Sequence, residues 1–142
     1  MVSTQSEVGE LLDGRSEAVW LKDIDRLMSF YSPDVVYFDL VPGLQYTGSP
    51  ALRARFLHWF EAFEGPIGQE IRDLNISVSG DIAVASMLIR ASGTLNNGLE
   101  VGYWVRATSC FTRSDHGWLL MHEHISLPVD FESRSAAMDL VP

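Results

Sequence analysis

Along this chain the hydrophobic positions change period once, from helical to alternating. Val8, Leu11, Leu12, Arg15, Ala18 and Val19 recur at helical spacing and predict a first helix from about Thr4 to Trp20, with Gly9 and Gly14 as weak points. Asp23 can cap a second helix whose stripe is Ile24, Leu27, Met28 and Tyr31, stopped at Ser32-Pro33. Val35 to Leu40, VVYFDL, is β-branched and aromatic and reads as a short strand. Val41 to Gly48 carries Pro42, Gly43 and Gly48 and reads as a loop. Ser49-Pro50 then opens a third helix, with Ser as its cap. Its stripe is Leu52, Phe56, Trp59, Phe60 and Phe63, and Gly65-Pro66 closes it.

From there the pattern alternates. Leu74, Ile76 and Val78 share one face, and Gly80-Asp81 turns the chain into a strand from Ile82 to Leu95. Asn96-Asn97-Gly98 is a hairpin signal, followed by a strand from Leu99 to Thr112, a turn over 113–117 and a last strand from Trp118 to Pro128. Helices followed by a four-strand antiparallel meander predict an α+β domain, its helices on one face of a curved sheet. The second long strand is apolar on both parities, with Ala83, Ala85, Met87 and Ile89 against Ile82, Val84 and Leu88. Both sheet faces should therefore be covered, one by helices and the other by a second copy in a symmetric homodimer. The chain is expected to form one domain over residues 1–142, with a core of about 5–130 and a tail of 131–142.

Charge narrows the partners. The net charge is -9, and nineteen acids face ten basic residues. Such a field repels phosphate backbones and anionic lipid, so neither nucleic acid nor a membrane surface is an expected partner. The opening MVSTQSEVGE lacks a signal-peptide pattern and no apolar run approaches about 18 residues, so a cytoplasmic location is expected. The single cysteine, Cys110, rules out an internal disulfide and is expected to be buried and inert.

The candidate chemistry gathers on two strands. With strict alternation, Trp118, Leu120, His122, His124 and Ser126 share one face of the last strand, and Leu119, Met121, Glu123, Ile125 and Leu127 share the other. Two imidazoles and a hydroxyl beside apolar neighbours read as the wall of a pocket, which sends Glu123 to the outer face. Imidazole is the side chain suited to shuttling protons near neutral pH. The plainer alternative is a structural histidine bonded to a partner strand or to Ser126. A His-x-His pair with Asp39 could also hold a metal, but no further ligand cluster supports one, so no metal is expected. Asp39 shares its strand face with Tyr37 among apolar neighbours, as a pocket general base would; the plainer reading is an Asp that caps the following loop. Trp59 and Met87 are candidate cavity residues. On the third meander strand either Trp104, Arg106 and Thr108 or Tyr103, Val105 and Ala107 face inward. The first choice would let Arg106 pair with Asp39.

The order of elements, with three local patterns, resembles a known superfamily. The patterns are FYSPDVVYFD with its Gly- and Pro-bearing loop, Tyr46-Thr47-Gly48 and SPALRARFLHWF; the Gly80-Asp81 turn; and the ending GWLLMHEHISLP. Over about residues 5–130 the chain is similar to SnoaL-like and ketosteroid-isomerase-like members of the nuclear transport factor 2-like superfamily. The resemblance implies a cone-shaped α-α-β-α-β-β-β-β fold, three N-terminal helices on a curved, mainly antiparallel sheet, an apolar pocket between them and dimerisation through the outer sheet face. It places Asp39 where ketosteroid isomerase has its general base. That enzyme's oxyanion-hole tyrosine matches about Arg15, and its protonated Asp falls near Ala107, so its electrophilic pair is missing and its mechanism is not expected here. Scytalone dehydratase, a relative, uses two His, two Tyr and an Asp, residue types present here as His122, His124, Tyr37, Tyr46 and Asp39.

Together these imply a cofactor-independent isomerase or lyase acting on an apolar carbonyl or hydroxyl compound by isomerisation, dehydration or cyclisation. Asp39 would remove a proton, His122 or His124 would return one, and Tyr37 or Tyr46 would orient the ligand. Trp59, Met87, Trp104, Arg106 and Ser126 would contact it. The alternative is a non-catalytic ligand-binding or dimeric association module of the same fold.

Overall fold

In the computed structural model, which describes residues 3–142, the helices lie on one face of a long curved sheet. Helix α1 (Thr4–Leu21) begins at Ser3, whose hydroxyl accepts from the Ser6 amide, and ends at Lys22 in the left-handed conformation, φ 54°. Its buried stripe is Val8, Leu12, Arg15, Ala18 and Val19, so a charged residue occupies a core position. Helix α2 (Ile24–Met28) is capped by Asp23 and is shorter than its stripe suggests, because Tyr31 opens strand β1 (Tyr31–Phe38) and turns into the core. Pro33 sits in that strand at an irregular stretch between Tyr31 and Val36, where the ladder has no donor to lose.

Strand β2 (Tyr46–Thr47) precedes helix α3 (Ser49–Glu61). The cap position of α3 is Gly48 rather than Ser49, at φ 86°. Glycine takes that backbone without strain, and Ser49-Pro50 forms the first turn. The helix stops at Glu61, and Phe63, Gly65 and Pro66 belong to edge strand β3 (Phe63–Ser79), which starts well before Leu74. Its register shifts between Glu64 and Gly68 and between Arg72 and Asn75, where Asp73 has φ 55°. Irregular pairing of this kind is at home on an edge strand. Strands β4 (Ile82–Leu95), β5 (Glu100–Ser114) and β6 (Gly117–Ser126) complete the meander.

The sheet order is β2-β1-β6-β5-β4-β3, antiparallel except for the β1–β6 pair. The fold is thus the α+β arrangement expected from the pattern, with helices on one face of a curved, mainly antiparallel sheet. After the sheet, β7 (Val129–Asp130) pairs with β8 (Ser135–Ala136) in a small hairpin. Among the described residues, no helix is long and apolar enough to cross a membrane.

Strand β6 departs from simple alternation. Cys110 pairs with His122 but Phe111 pairs with Leu120, so Met121 is an extra residue, a β-bulge. Trp118 and Leu120 are buried before it, and Glu123 and Ile125 after it. A one-residue shift in a strand exchanges its faces. The expected face assignment therefore holds for the first half of β6 and is reversed for the second.

Candidate active site

The register after the bulge assembles two rows. Ala85, Ser109, Glu123 and Tyr37 run across the inner face on β4, β5, β6 and β1. Val84, Cys110, His122 and Val36 run across the outer face, followed by Ser86, Thr108, His124 and Phe38. His122 and His124 therefore leave the pocket wall, contrary to expectation. His122 is half-buried, its Nδ1 2.6 Å from the Val36 carbonyl oxygen, and His124 is exposed. Both stand edge-on to the Phe38 ring, with centroids 4.8 and 5.4 Å away. Ser126 is on this face too, accepting from Arg106 Nε at 3.1 Å.

On β5 the inward set is Val105 and Ala107 with Tyr103, so Trp104 and Arg106 also lie outside, and Arg106 does not reach Asp39. Met87 points inward but is packed into the core without lining the cavity. Cys110 is half-buried on the outer side, its thiol pushed up by burial and by Glu123.

Between α1, α3 and the inner sheet face is a cavity of about 590 Å³. Tyr37, Asp39, Tyr46 and Trp59 line it, with Arg15, Tyr31, Arg55, Tyr103 and Glu123. Aliphatic and aromatic side chains supply most of the rest, including Phe56, Ile89 and Ile125, and Met138 of the tail also contributes. Two charged pairs are set into this wall.

The first is buried. Arg15 and Glu123 are 3% and 1% exposed and form an ion pair through Arg15 Nη1 and Glu123 Oε2. The Tyr31 hydroxyl donates to Glu123 Oε1 at 2.8 Å and the Ser109 hydroxyl to Oε2 at 2.6 Å, so the carboxylate has three donors. Charge withdrawn from water is tolerable only with this degree of pairing. Burial works against the Arg15 charge, but Glu123 and the two tyrosine hydroxyls nearby outweigh it and hold the guanidinium above its ordinary value. Burial, then Glu123, pushes the Tyr31 and Tyr37 phenols well up, and Tyr37 also feels Asp39.

The second pair is Asp39 with Arg55 of α3. Asp39 Oδ2 accepts from Arg55 Nε at 3.0 Å, and Oδ1 accepts from the Leu40 amide at 2.7 Å. Their side chains are 11% and 13% exposed. The Leu40 bond is the local capping contact that the plainer reading of Asp39 anticipated, and it coexists with a place in the cavity wall. Burial, then Asp39, raises the Tyr103 phenol, so at neutral pH the cavity presents protonated phenols beside an ionic pair. Asp39 and the histidines lie on opposite faces of the sheet, and among the described residues no group of three or more His, Cys, Asp or Glu side chains could hold a metal.

Arg55 and Glu123 were not expected at the site, and Arg15 entered only as the residue standing where the isomerase has its oxyanion-hole tyrosine, although the chain carried signals for each. Arg15 interrupts an apolar helical stripe, and Arg55 follows Leu52 by three residues on the inner face of α3. Burying Trp118 and Leu120 together with Ile125 requires a change of parity between them, which brings Glu123 inside.

A SnoaL-like domain model matches residues 8–130. Among solved structures, an NTF2-like protein of unknown function from Pseudomonas putida KT2440 is 31% identical over all of both chains, with a TM-score of 0.89. A candidate dehydratase of the NTF2-like family from Streptomyces avermitilis is 21% identical over 89% of this chain and 98% of its own, TM-score 0.80. A candidate calcium/calmodulin-dependent protein kinase II association domain from Xanthomonas campestris is 20% identical over 85% of each chain, TM-score 0.76. No curated protein matches significantly.

Proposed function

Given that the chain belongs to the SnoaL-like domain family, we propose that it is a small-molecule enzyme whose cavity takes an apolar carbonyl or hydroxyl compound for cofactor-independent acid–base chemistry. The observation that carries this reading is Asp39, a nearly buried carboxylate in the wall of a largely apolar cavity, held by Arg55 and the Leu40 amide. A positioned carboxylate of this kind can take a proton from carbon or oxygen. The role given to His122 or His124 passes to the phenols of Tyr37 and Tyr103. Their raised pKa values keep the proton in place, so they can donate to a substrate oxygen. Dehydration, isomerisation and cyclisation all need this pairing of base and donor.

The test is hydrogen exchange at carbon. Apolar cyclic ketones such as α-tetralone are incubated in deuterated buffer with wild-type protein and with Asp39→Asn, and loss of the α-hydrogen signals is followed by NMR. Loss of a general base should slow exchange by about a hundredfold or more. Equal rates for the two proteins, above the buffer rate, would remove Asp39 from the chemistry.

A non-catalytic association module is the second reading, supported by the likeness to a candidate association domain. In either reading the second copy docks on the outer sheet face, where Ile82, Val84 and Met121 are 41%, 39% and 37% exposed. Isolated exposed apolar residues are ordinary, but three on one sheet face suit a self-complementary contact.

A further inference from the structure

One guanidinium in the cavity wall still has donors that a ligand can reach. Arg15 spends Nη1 on Glu123, and its Nε and Nη2 are sealed inside the core. Arg55 of α3 differs. Its Nε meets Asp39 Oδ2 at 3.0 Å, while Nη1 and Nη2 have no hydrogen-bond partner among the described residues and are not enclosed. The side chain is largely buried and lines the cavity. Beyond burial, the Tyr103 phenol responds to both members of this pair, pushed up by Asp39 and down by Arg55, which sets all three groups around one part of the cavity. We propose that Arg55 Nη1 and Nη2 are the electrophilic site of the cavity: they take the carbonyl oxygen of the substrate and balance its charge when Asp39 removes the neighbouring α-proton.

Connectivity provides the fit. Nη1 and Nη2 are each two bonds from Nε, which sits against Asp39 Oδ2. In a ketone the carbonyl oxygen and an α-hydrogen are three bonds apart. An oxygen at the Nη groups therefore leaves that hydrogen beside the carboxylate, whose oxygens each keep a lone pair beyond the bonds to Arg55 and Leu40. Charge provides the catalysis. As the C–H bond breaks, the proton goes to Asp39, the C–H electron pair becomes a C=C bond and the carbonyl π pair moves onto oxygen. One negative charge thus passes from carboxylate to enolate, and the guanidinium between them balances it at both ends. Arg55 transfers no proton. Donors already in place where charge develops lower the barrier, and no uncompensated anion forms within the apolar walls. The phenols of Tyr37 and Tyr103 offer that oxygen neutral hydrogen bonds; Arg55 brings the charge. This inference rests on the proposed reading of Asp39 as a general base, and it names the group that makes the proton transfer feasible.

The probe is α-naphthol, which has the shape of the enol of α-tetralone; its naphtholate carries the charge of the enolate. Binding and ionisation are read from naphthol absorbance, at wavelengths beyond those of the protein, across a pH titration. In wild type the Asp39 carboxylate occupies Arg55, and neutral naphthol should be the form bound. Asp39→Asn imitates the protonated carboxylate that follows proton transfer and frees the cation. It should bind naphtholate about tenfold or more tighter than wild type does. Asp39→Asn with Arg55→Gln should lose that gain. Asp39→Asn with Arg55→Lys, a point charge without the paired donors, should keep only part of it. In Asp39→Asn protein the Arg55 Nε–H resonance should shift with naphtholate, a readout that needs no arginine variant to fold. In the exchange assay, Arg55→Gln alone should slow loss of the α-hydrogens about a hundredfold or more.

An equal gain in the double variant with Arg55→Gln would mean that removing the Asp39 charge is enough, and would overturn the Arg55 site while leaving a ligand cavity in place. Slower exchange in Arg55→Gln without any effect of Arg55 on naphtholate would make it a positioning residue for Asp39 and overturn the electrophilic role. Binding of neither naphthol nor naphtholate by any of these proteins would overturn the proposal together with the cavity reading beneath it. Naphtholate binding that depends on Arg55, with exchange that ignores Asp39, would keep the oxygen site and reject Asp39 as the base.

Discussion

The Arg15–Glu123 pair gives a quantitative test of how the core tolerates charge. Glu123→Leu removes the carboxylate that three donors share and leaves the Arg15 guanidinium buried with no counter-charge. Deleting one partner of a buried pair costs about 3–5 kcal/mol. Losing the acceptor for the Tyr31 and Ser109 hydroxyls adds about 1 kcal/mol or more. A domain with a total stability of about 5–15 kcal/mol would come close to unfolding. Replacing both residues, Arg15→Met with Glu123→Leu, removes the uncompensated charge and should recover most of the loss, because apolar replacements of buried ion pairs are near neutral. The assay is a double-mutant cycle from urea unfolding followed by circular dichroism, including the Arg15→Met single variant. If Glu123→Leu costs under about 1 kcal/mol, or the double variant is as unstable as the two losses summed, then Arg15 and Glu123 do not act as one desolvated unit and the reasoning fails.

Two further outcomes follow. Tyr31, Tyr37 and Tyr103, three of the four tyrosines, are held above their ordinary value in the folded protein, so their neutral form is favoured there. Their contribution is complete below the unfolded pKa of about 10 and is lost as pH rises through the folded values. Stability should therefore fall from about pH 10 upward, more gently in Tyr37→Phe, and tyrosinate absorbance should show three phenols ionising late or only with unfolding. Three phenols titrating together near pH 10 in folded protein would contradict their burial. On the outer face, Met121→Glu should turn a dimer into a monomer by light scattering while the circular dichroism spectrum stays unchanged, since Met121 faces solvent within one chain. A variant that stays dimeric would place the contact elsewhere.

What the sequence disclosed, and what it hid, follows from how each feature is encoded. The meander was legible because alternation, Gly80-Asp81 and Asn96-Asn97-Gly98 are local signals, and β4 has the bounds that its pattern predicted. Asp39 and Tyr37 were proposed for a pocket from their apolar neighbours and shared strand face, Trp59 from a crowded helix stripe and Tyr46 from the resemblance; all four line the cavity. The histidines were misplaced because strict alternation was carried through WLLM, four apolar residues in a row that fit either parity. Only pairing with Cys110 and Phe111 on β5 reveals the extra residue, and pairing is not a property of β6 alone. Arg15 and Glu123 were hard to read for the same reason: they lie 108 positions apart, and each looks out of place until the other is beside it.

The bulge at Met121 makes β6 a two-position selector. One residue decides whether an imidazole row or a glutamate row looks into the cavity, while the fold and the hydrogen-bonded neighbours stay largely the same. Deleting Met121 would leave Leu120 and Glu123 facing inward in plain alternation, whereas keeping it without the bulge would turn the imidazoles in. The polar lining of the cavity is thus set by where β6 absorbs its extra residue, and the same side chains can present either row.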